Sequence, residues 1–324
     1  MSSASWTVGV DFGGTNIKVG AVRSQGTVAC KMVLPTRAHA SPERFIDGIE
    51  RAIHRLGAAC GARRSRLRGV GIGAPGLIDG RRGIIRQLVN VPGGWRGVPL
   101  KRLLERRLGC PCAVENDVNV VALGEWRFGA GRGTRDSLYV TLGTGVGGGV
   151  VSNGSLVRGA TGSAGEIGHT VLRPDGPRCA CGSRGCLEAF VGTPAILRRA
   201  RRAARASRGA LAAIVTREPG RLSPASISQA AKAGDPAARR VWREIGRDLG
   251  AGLASAINLL NPERIVIGGG IAKAWPWFSA SLMATVRARA FGVPVRACRI
   301  VRAQLGDAAG IIGAAMLVWE QEKR

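Results

Sequence analysis

Thr141-Leu-Gly-Thr-Gly-Val-Gly-Gly-Gly149, Gly165-Glu166-Ile-Gly-His169 and Cys179-Ala-Cys181-Gly-Ser-Arg-Gly-Cys186-Leu-Glu188 follow one another between residues 141 and 188. Residues 137–142 are rich in β-formers and read as a buried strand. The glycines after it let backbone N–H groups come close to an anion. A plain hairpin is the competing reading, because Val150-Val151-Ser152-Asn153-Gly154 looks like a strand entering an Asn-Gly turn. Cys179, Cys181 and Cys186, with the imidazole of His169, make a Cys3His set of the kind that holds structural Zn2+ tetrahedrally. The chain has three histidines, at 39, 54 and 169, and the third falls beside the cysteines. Three reduced, unliganded thiols are the alternative. Four protein ligands leave no open position, so such a metal shapes a loop and activates no water. A helical turn over 166–169 would put Glu166 and His169 on one face, and Glu188 follows the last cysteine by two residues. The metal would then hold carboxylates where they can bind hydroxyls, the alternative being solvated glutamates.

A chain of 324 residues can bury a large core and suits two domains. Its start has no basic segment followed by an apolar one, and no run of eighteen apolar residues occurs, so neither export nor a membrane partner is expected. Eight cysteines without the density of a disulfide scaffold suit a reducing cytoplasm, and Cys110-Pro-Cys112 is too close for an easy bridge. The net charge of +27 comes almost wholly from arginine, in a composition rich in Ala and Gly that coding bias would produce. The functional alternative is a field attracting nucleotides, polyphosphate or nucleic acid. Arg198, Arg199, Arg201, Arg202, Arg205 and Arg208 form the densest run, with no aromatics interleaved to stack bases. A solvated helix face is expected there, and no nucleic-acid partner.

Trp6 to Phe12 reads as a strand ending in Asp11-Phe-Gly13-Gly14-Thr15-Asn16, followed by strands over 17–22 and 27–34. The turn offers backbone and hydroxyl donors to a phosphate, with Asp11 placed to meet a cation or its waters. No Gly-Lys-Ser/Thr follows and no GxGxxG spacing is present, so it is neither a Walker loop nor a dinucleotide fingerprint. Ser41-Pro42 starts a helix with Phe45, Ile49, Ile53 and Leu56 in helical period. Residues 68–76 read as a buried strand, 99–108 as a short helix, and Glu115-Asn116-Asp117 closes a strand just before a helix over 120–128. Asn116 or Asp117 can serve there as a helix cap, or as ligands where open α/β sheets bind them. Helical regions are expected over 193–213 and 226–233. Asp235-Pro236 caps a long helix that runs to Leu260 and stops at Asn261-Pro262. A strand over 263–267 enters Gly268-Gly269-Gly270, then come a helix over 276–289, a strand over 296–302 and a helix over 307–319. Strand-Gly-Gly turns at 13, 147 and 269 suggest two related halves.

Together these residues resemble the ROK family of sugar kinases, repressors and open reading frames. The likeness runs from Asp11-Phe-Gly-Gly-Thr15 through Glu115-Asn116-Asp117, Leu142-Gly-Thr-Gly145, Glu166-Ile-Gly-His169 and the Cys-x-Cys-Gly-x-x-Gly-Cys element to Leu305-Gly-Asp-Ala-Ala-Gly310. It implies an α/β, two-domain actin/hexokinase-like (ribonuclease H-like) fold with a zinc-stabilised loop. Residues 1–121 plus 308–324 would form a small domain and 122–307 a larger one. It implies that Asp117 is the catalytic base, that Asn90, Asn116, Glu166, His169 and Glu188 bind sugar hydroxyls, and that His169 also binds Zn2+. Asp11, Gly13, Gly14, Thr15, Thr144 and Gly145 would hold ATP phosphates with Mg2+, and Gly269 and Gly270 the adenosine. Asn90-Val-Pro-Gly-Gly-Trp95 is similar to the Asn-x-Pro-Gly-Trp loop of the family's glucokinases, with one glycine inserted. Glucose is therefore the expected acceptor, ahead of N-acylhexosamines or fructose. ATP is expected over polyphosphate, since polyphosphate-using relatives generally lack the cysteine cluster. Only ten residues precede Asp11, which leaves no room for a repressor's winged helix; a sugar-binding sensor is the non-enzyme alternative. A homodimer or higher homo-oligomer is implied.

Overall fold

The structure, a computed structural model, describes residues 5–88 and 91–321. In chain order it begins with β1 (Trp6–Phe12), β2 (Asn16–Arg23), β3 (Val28–Pro35), α1 (Pro42–Ala59), β4 (Leu67–Ala74), β5 (Gly76–Asp79) and β6 (Ile84–Leu88). Then come α2 (Leu100–Leu108), β7 (Cys112–Asn116), α3 (Asp117–Phe128), β8 (Ser137–Leu142), β9 (Val146–Ser152), β10 (Ser155–Val157), α4 (Glu188–Val191), α5 (Thr193–Arg205) and α6 (Ala210–Arg217). The chain continues through α7 (Pro224–Lys232), α8 (Pro236–Leu260), β11 (Arg264–Gly268), α9 (Trp275–Arg289), α10 (Gly292–Ala297), β12 (Arg299–Arg302) and α11 (Ala309–Gln321). Two compact units result: Met1–Arg135 with Gly149–Gly165 and Ala303–Arg324, and Asp136–Gly148 with Glu166–Arg302. Among the described residues no helix is long and apolar enough to cross a membrane.

The first unit is built on a sheet of order β3-β2-β1-β4-β7. β1 and β2 are antiparallel, as are β2 and β3, whereas β1, β4 and β7 run parallel. The period of two along β1 divides its side chains between the faces. Trp6, Val8, Val10 and Phe12 pack in one cluster with Phe45, Ile49, Ile53 and Leu56 of α1. Phe12 stacks on Phe45 at a centroid distance of 4.6 Å, and Trp95 meets the two rings edge-on at 5.3 and 5.5 Å. Gly9 and Asp11 belong to the opposite face, where α11 packs. That helix lies so close that a Cβ on Gly9 would stand 1.9 Å from the Ile311 carbonyl oxygen, and one on Gly71 only 1.7 Å from that of Ala314. Backbone cannot yield to a methyl group there as a flexible side chain could. Gly71→Ala is accordingly expected to cost about 3 kcal/mol or more. A denaturant midpoint equal to that of the parent chain would contradict this packing argument.

In the second unit β11 pairs in parallel with both β8 and β12. α8, the longest helix, packs on α9, α5 and α7. Its limits are those read from the sequence. Asp235 accepts from Ala237 N at 2.8 Å and Ala238 N at 2.9 Å, and Asn261 ends it in the left-handed region at φ 45°. Two expectations need correction, and one bond was not foreseen. The region over 193–213 is two helices, because Ser207 Oγ accepts from Gly209 N and Asp235 Oδ2 from Leu211 N, starting α6 afresh. The strand expected over 296–302 begins only at Arg299, since α10 occupies Gly292–Ala297, with Phe291 N donating to Asn258 Oδ1 at 2.7 Å. Finally, Cys30 and Cys60 are bonded as a disulfide with Cα atoms 6.2 Å apart: β3 alternates toward α1, and Cys60 closes that helix.

Candidate functional site

The phosphate-type turn of the first unit joins β1 to β2. It is closed by Gly13 N donating to Asn16 O at 3.0 Å, and it is anchored from outside by Thr36, whose hydroxyl donates to Gly13 O at 2.7 Å and whose N–H donates to Thr15 O at 3.0 Å. Gly14 and Thr15 remain exposed. The antiparallel register sets Asp11 opposite Lys18, whose Nζ lies 3.7 Å from Asp11 Oδ2 and 3.9 Å from Asp307 Oδ1. Burial raises the pKa of Asp11, Lys18 partly offsets this, and Asp307 adds to it. A carboxyl in that state gains from a further cation, since an opposite charge favours its ionised form.

Two strands along the same sheet, β7 delivers Glu115, Asn116 and Asp117. Ala74 of β4 pairs with Asn116 and Asp11 with Gly73, so Asp11 and Asn116 lie at the same, carboxyl end of these parallel strands, about 10 Å apart. Asn116 caps α3: its Oδ1 accepts from Val118 N at 2.9 Å and Asn119 N at 3.2 Å, while its Nδ2 donates to Gly76 O at 3.1 Å. The N-cap reading therefore holds for this residue. Asp117 sits half-buried at the first turn of the helix, where its Oδ1 accepts from Val118 N at 2.9 Å. Beneath them Glu115, 1% exposed, accepts from Asn116 N, from Asn119 Nδ2 and from Arg158 Nε. Arg158 carried no sequence signal, because its partner is 43 positions away. Asn90 lies outside the described residues.

In the second unit the pairing of Gly268 with Thr141 brings the ends of β11 and β8 side by side. A cavity of about 330 Å³ opens there, lined by residues of 141–147 together with Glu188, Gly269 and Gly270. The loop is pinned by Thr193, whose N–H and hydroxyl both donate to Gly143 O. Thr144 belongs to the same loop but does not line the cavity. Glu188 joins this loop to the cysteines, its Oε2 accepting from Val146 N at 2.9 Å and its Oε1 lying 3.5 Å from Cys179 Sγ.

The four candidate metal ligands do converge. The donor atoms of His169, Cys179, Cys181 and Cys186 all lie within 4.8 Å of one another. Thiolates at about 2.3 Å from a tetrahedral ion would be separated by about 3.8 Å. Cys181 Sγ and Cys186 Sγ are 3.7 Å apart, and Cys179 Sγ is 3.7 Å from His169 Nδ1. The donor set and its spacing fit Zn2+. Burial pushes the Cys179 thiol up to about 12, whereas a hydrogen bond from the Ser183 backbone and one from Cys179 lower Cys181. With Nδ1 turned to the cluster, His169 Nε2 is left 4.0 Å from Glu166 Oε2. The turn that carries them, Ile167–His169, is a single 3-10 turn. Gly168 is demanded in it, since a Cβ there would stand 2.0 Å from Val146 O. The structure brings Glu166, His169, Glu188 and the cysteines into one neighbourhood, and adds the Glu188–Val146 tie and the Thr193 anchor, which carried no sequence signal.

The ROK family pattern matches residues 7–321. The chain is similar to a glucokinase of Halalkalibacterium halodurans, 39% identical over 321 residues that span 99% of this chain and 97% of the relative. Its fold matches that of a ROK family glucokinase from Streptomyces griseus crystallised with glucose and AMPPNP, with a TM-score of 0.81, 37% identity and coverage of 98% and 100% of the two chains. A ROK hexokinase from Thermus thermophilus matches with a TM-score of 0.79 at 35% identity, covering 98% and 99%.

Proposed function

The chain belongs to the ROK family, and we propose that it is an ATP-dependent hexokinase that phosphorylates the 6-hydroxyl of a hexose, with glucose as the preferred acceptor. The observation that carries this reading is the shared cavity of the 141–147 loop, Gly269-Gly270 and Glu188, tied through Glu188 to the Cys3His cluster.

In this reading Gly13, Gly14 and Thr15, with Thr144 and Gly145, hold the phosphates of ATP through backbone and hydroxyl donors, and Gly269 and Gly270 admit the adenosine. Mg2+ bound with ATP would neutralise charge on the transferring phosphate, and Asp11 is the carboxylate assigned to it. Asn116, Glu166, His169 and Glu188, with Asn90, bind the sugar's hydroxyls. Asp117 takes the proton of the 6-hydroxyl as that oxygen attacks the γ-phosphorus and ADP departs with the bond broken behind it. Phosphoryl transfer asks mainly for alignment, so rigid presentation of Asp117 at the start of a capped helix suits the role. His169, Cys179, Cys181 and Cys186 would hold Zn2+ as a structural ion that fixes Glu188 and the Nε2 side of His169. A cytoplasmic homo-oligomer is the state we assign to such an enzyme.

ADP release from Mg-ATP, followed in parallel with glucose, N-acetylmannosamine, N-acetylglucosamine and fructose, tests the proposal. Turnover highest with glucose is the expected result. Preference for an N-acylhexosamine would overturn the acceptor assignment, and silence with all four beside tight sugar binding would make the protein a sensor.

A further inference from the structure

The arginine run expected to be a solvated face of α5 is only partly so. Arg201, Arg205 and Arg208 are exposed, but Arg199 keeps only 15% of its side chain accessible. Its guanidinium is held by the carboxylate of Asp248 on α8, which is 6% exposed. Arg173 approaches the other oxygen of the same carboxylate at 2.5 Å. One buried acid therefore fixes two guanidiniums at a set spacing, and both line a cavity of about 750 Å³ between α5, α8 and α9. Five arginines line that cavity, Arg173, Arg199, Arg202, Arg247 and Arg289, against two acids, Glu244 and Asp248. Glu244 lies 3.6 Å from Arg199 and 4.0 Å from Arg202. Arg247 and Arg289 form no ion pair among the described residues, and both are exposed at the cavity.

We propose that this cavity is a binding site for a small anion carrying two or more phosphates. Coding bias would scatter arginines over the surface. It does not account for two of them preset on a buried carboxylate, with more positive charge left over around a concave wall. Guanidinium forks match phosphate oxygens bidentately, and Arg173 and Arg199, already ordered on Asp248, lose less freedom on binding than unrestrained side chains would. Orthophosphate engages too few of the five at once; a diphosphate or oligophosphate chain can span from the fixed pair to Arg247 and Arg289. None of the five belongs to the glycine loop or the cysteine cluster. The site nevertheless touches the loop that carries the cluster: Arg173 stacks on Phe190, and the N–H groups of Leu172 and Arg173 donate to Gly185 O, one residue before Cys186.

Calorimetric titration of the full chain with inorganic tripolyphosphate, in saturating Mg-AMPPNP to occupy the nucleotide loops, tests this. One equivalent should bind, at least tenfold more tightly than orthophosphate. The affinity should fall at least tenfold in the double variant Arg247→Gln with Arg289→Gln, whose exposed positions leave folding and thermal midpoint unaltered. A hexose bisphosphate titrated in the same way separates a phosphorylated metabolite from an inorganic chain as the occupant. Equal affinity in parent and variant, or no binding of either probe at millimolar concentration, would overturn the proposal. So would a change in sedimentation of the variant with anion binding retained, which would make these arginines a contact between copies of the chain.

Discussion

Replacing Asp117 by asparagine is expected to lower kcat for ADP release by about 10² to 10⁴ while the protein remains folded. The two side chains have the same shape, and the asparagine carbonyl can still accept from Val118 N, which Asp117 Oδ1 does at 2.9 Å. Asn116 keeps the cap on Val118 N and Asn119 N in either case. What the substitution removes is a charged oxygen that can take a proton. It also removes one negative charge from the first turn of a helix, worth about 0.3–1 kcal/mol of stability. The thermal midpoint should therefore move little while turnover collapses. Near-normal kcat would refute the role of base, and a collapse of the midpoint together with activity would make Asp117 structural.

Cys186→Ser carries the second large effect. Cys186 is fully buried, and its sulfur lies 3.7 Å from that of Cys181. Serine offers a poorer ligand and a hydroxyl in a buried place. Elemental analysis should show zinc falling from one equivalent to a small fraction of one. Loss of such a site costs roughly 4 kcal/mol or more. Glu188 begins α4 two residues later, and its Oε2 holds Val146 N in the glycine loop, so the damage should travel. KM for the sugar is expected to rise by about tenfold or more. A variant with unchanged metal content and midpoint would show that the four donors are ordinary thiols and an imidazole.

What could be read in the sequence was what depends on neighbours in the chain. Asp235-Pro236 and Asn261 marked both ends of α8 because caps are local hydrogen bonds. The motif Cys179-x-Cys181 with Cys186 and His169 was legible for the same reason, since its donors span a short loop that folds on itself. Partners chosen by tertiary packing were not legible. Glu115 finds Arg158, Glu125 takes the N–H groups of Gln304 and Leu305, and Arg199 finds Asp248; nothing in the local sequence names any of these pairs. The bond between Cys30 and Cys60 belongs to the same class, since only the packing of β3 on α1 brings the two together. A helical period also hid the break before α6, because the stretch remains apolar on one side while Ser207 and Asp235 restart the backbone pattern.

The close packing of α11 against Gly9 and Gly71 has a bearing on biosynthesis. β1 and β4 emerge early from the ribosome, but the helix that covers their glycine face spans Ala309–Gln321. Until it is made, α3 covers that face only at its Gly73 end, where Val120 packs, and the stretch around Gly9 and Gly71 stays open. The second unit, by contrast, has its last strand once Arg302 is out. The portion begun second is thus complete first, and the nascent amino-terminal sheet must wait through most of translation in a state open to chaperones and to wrong partners.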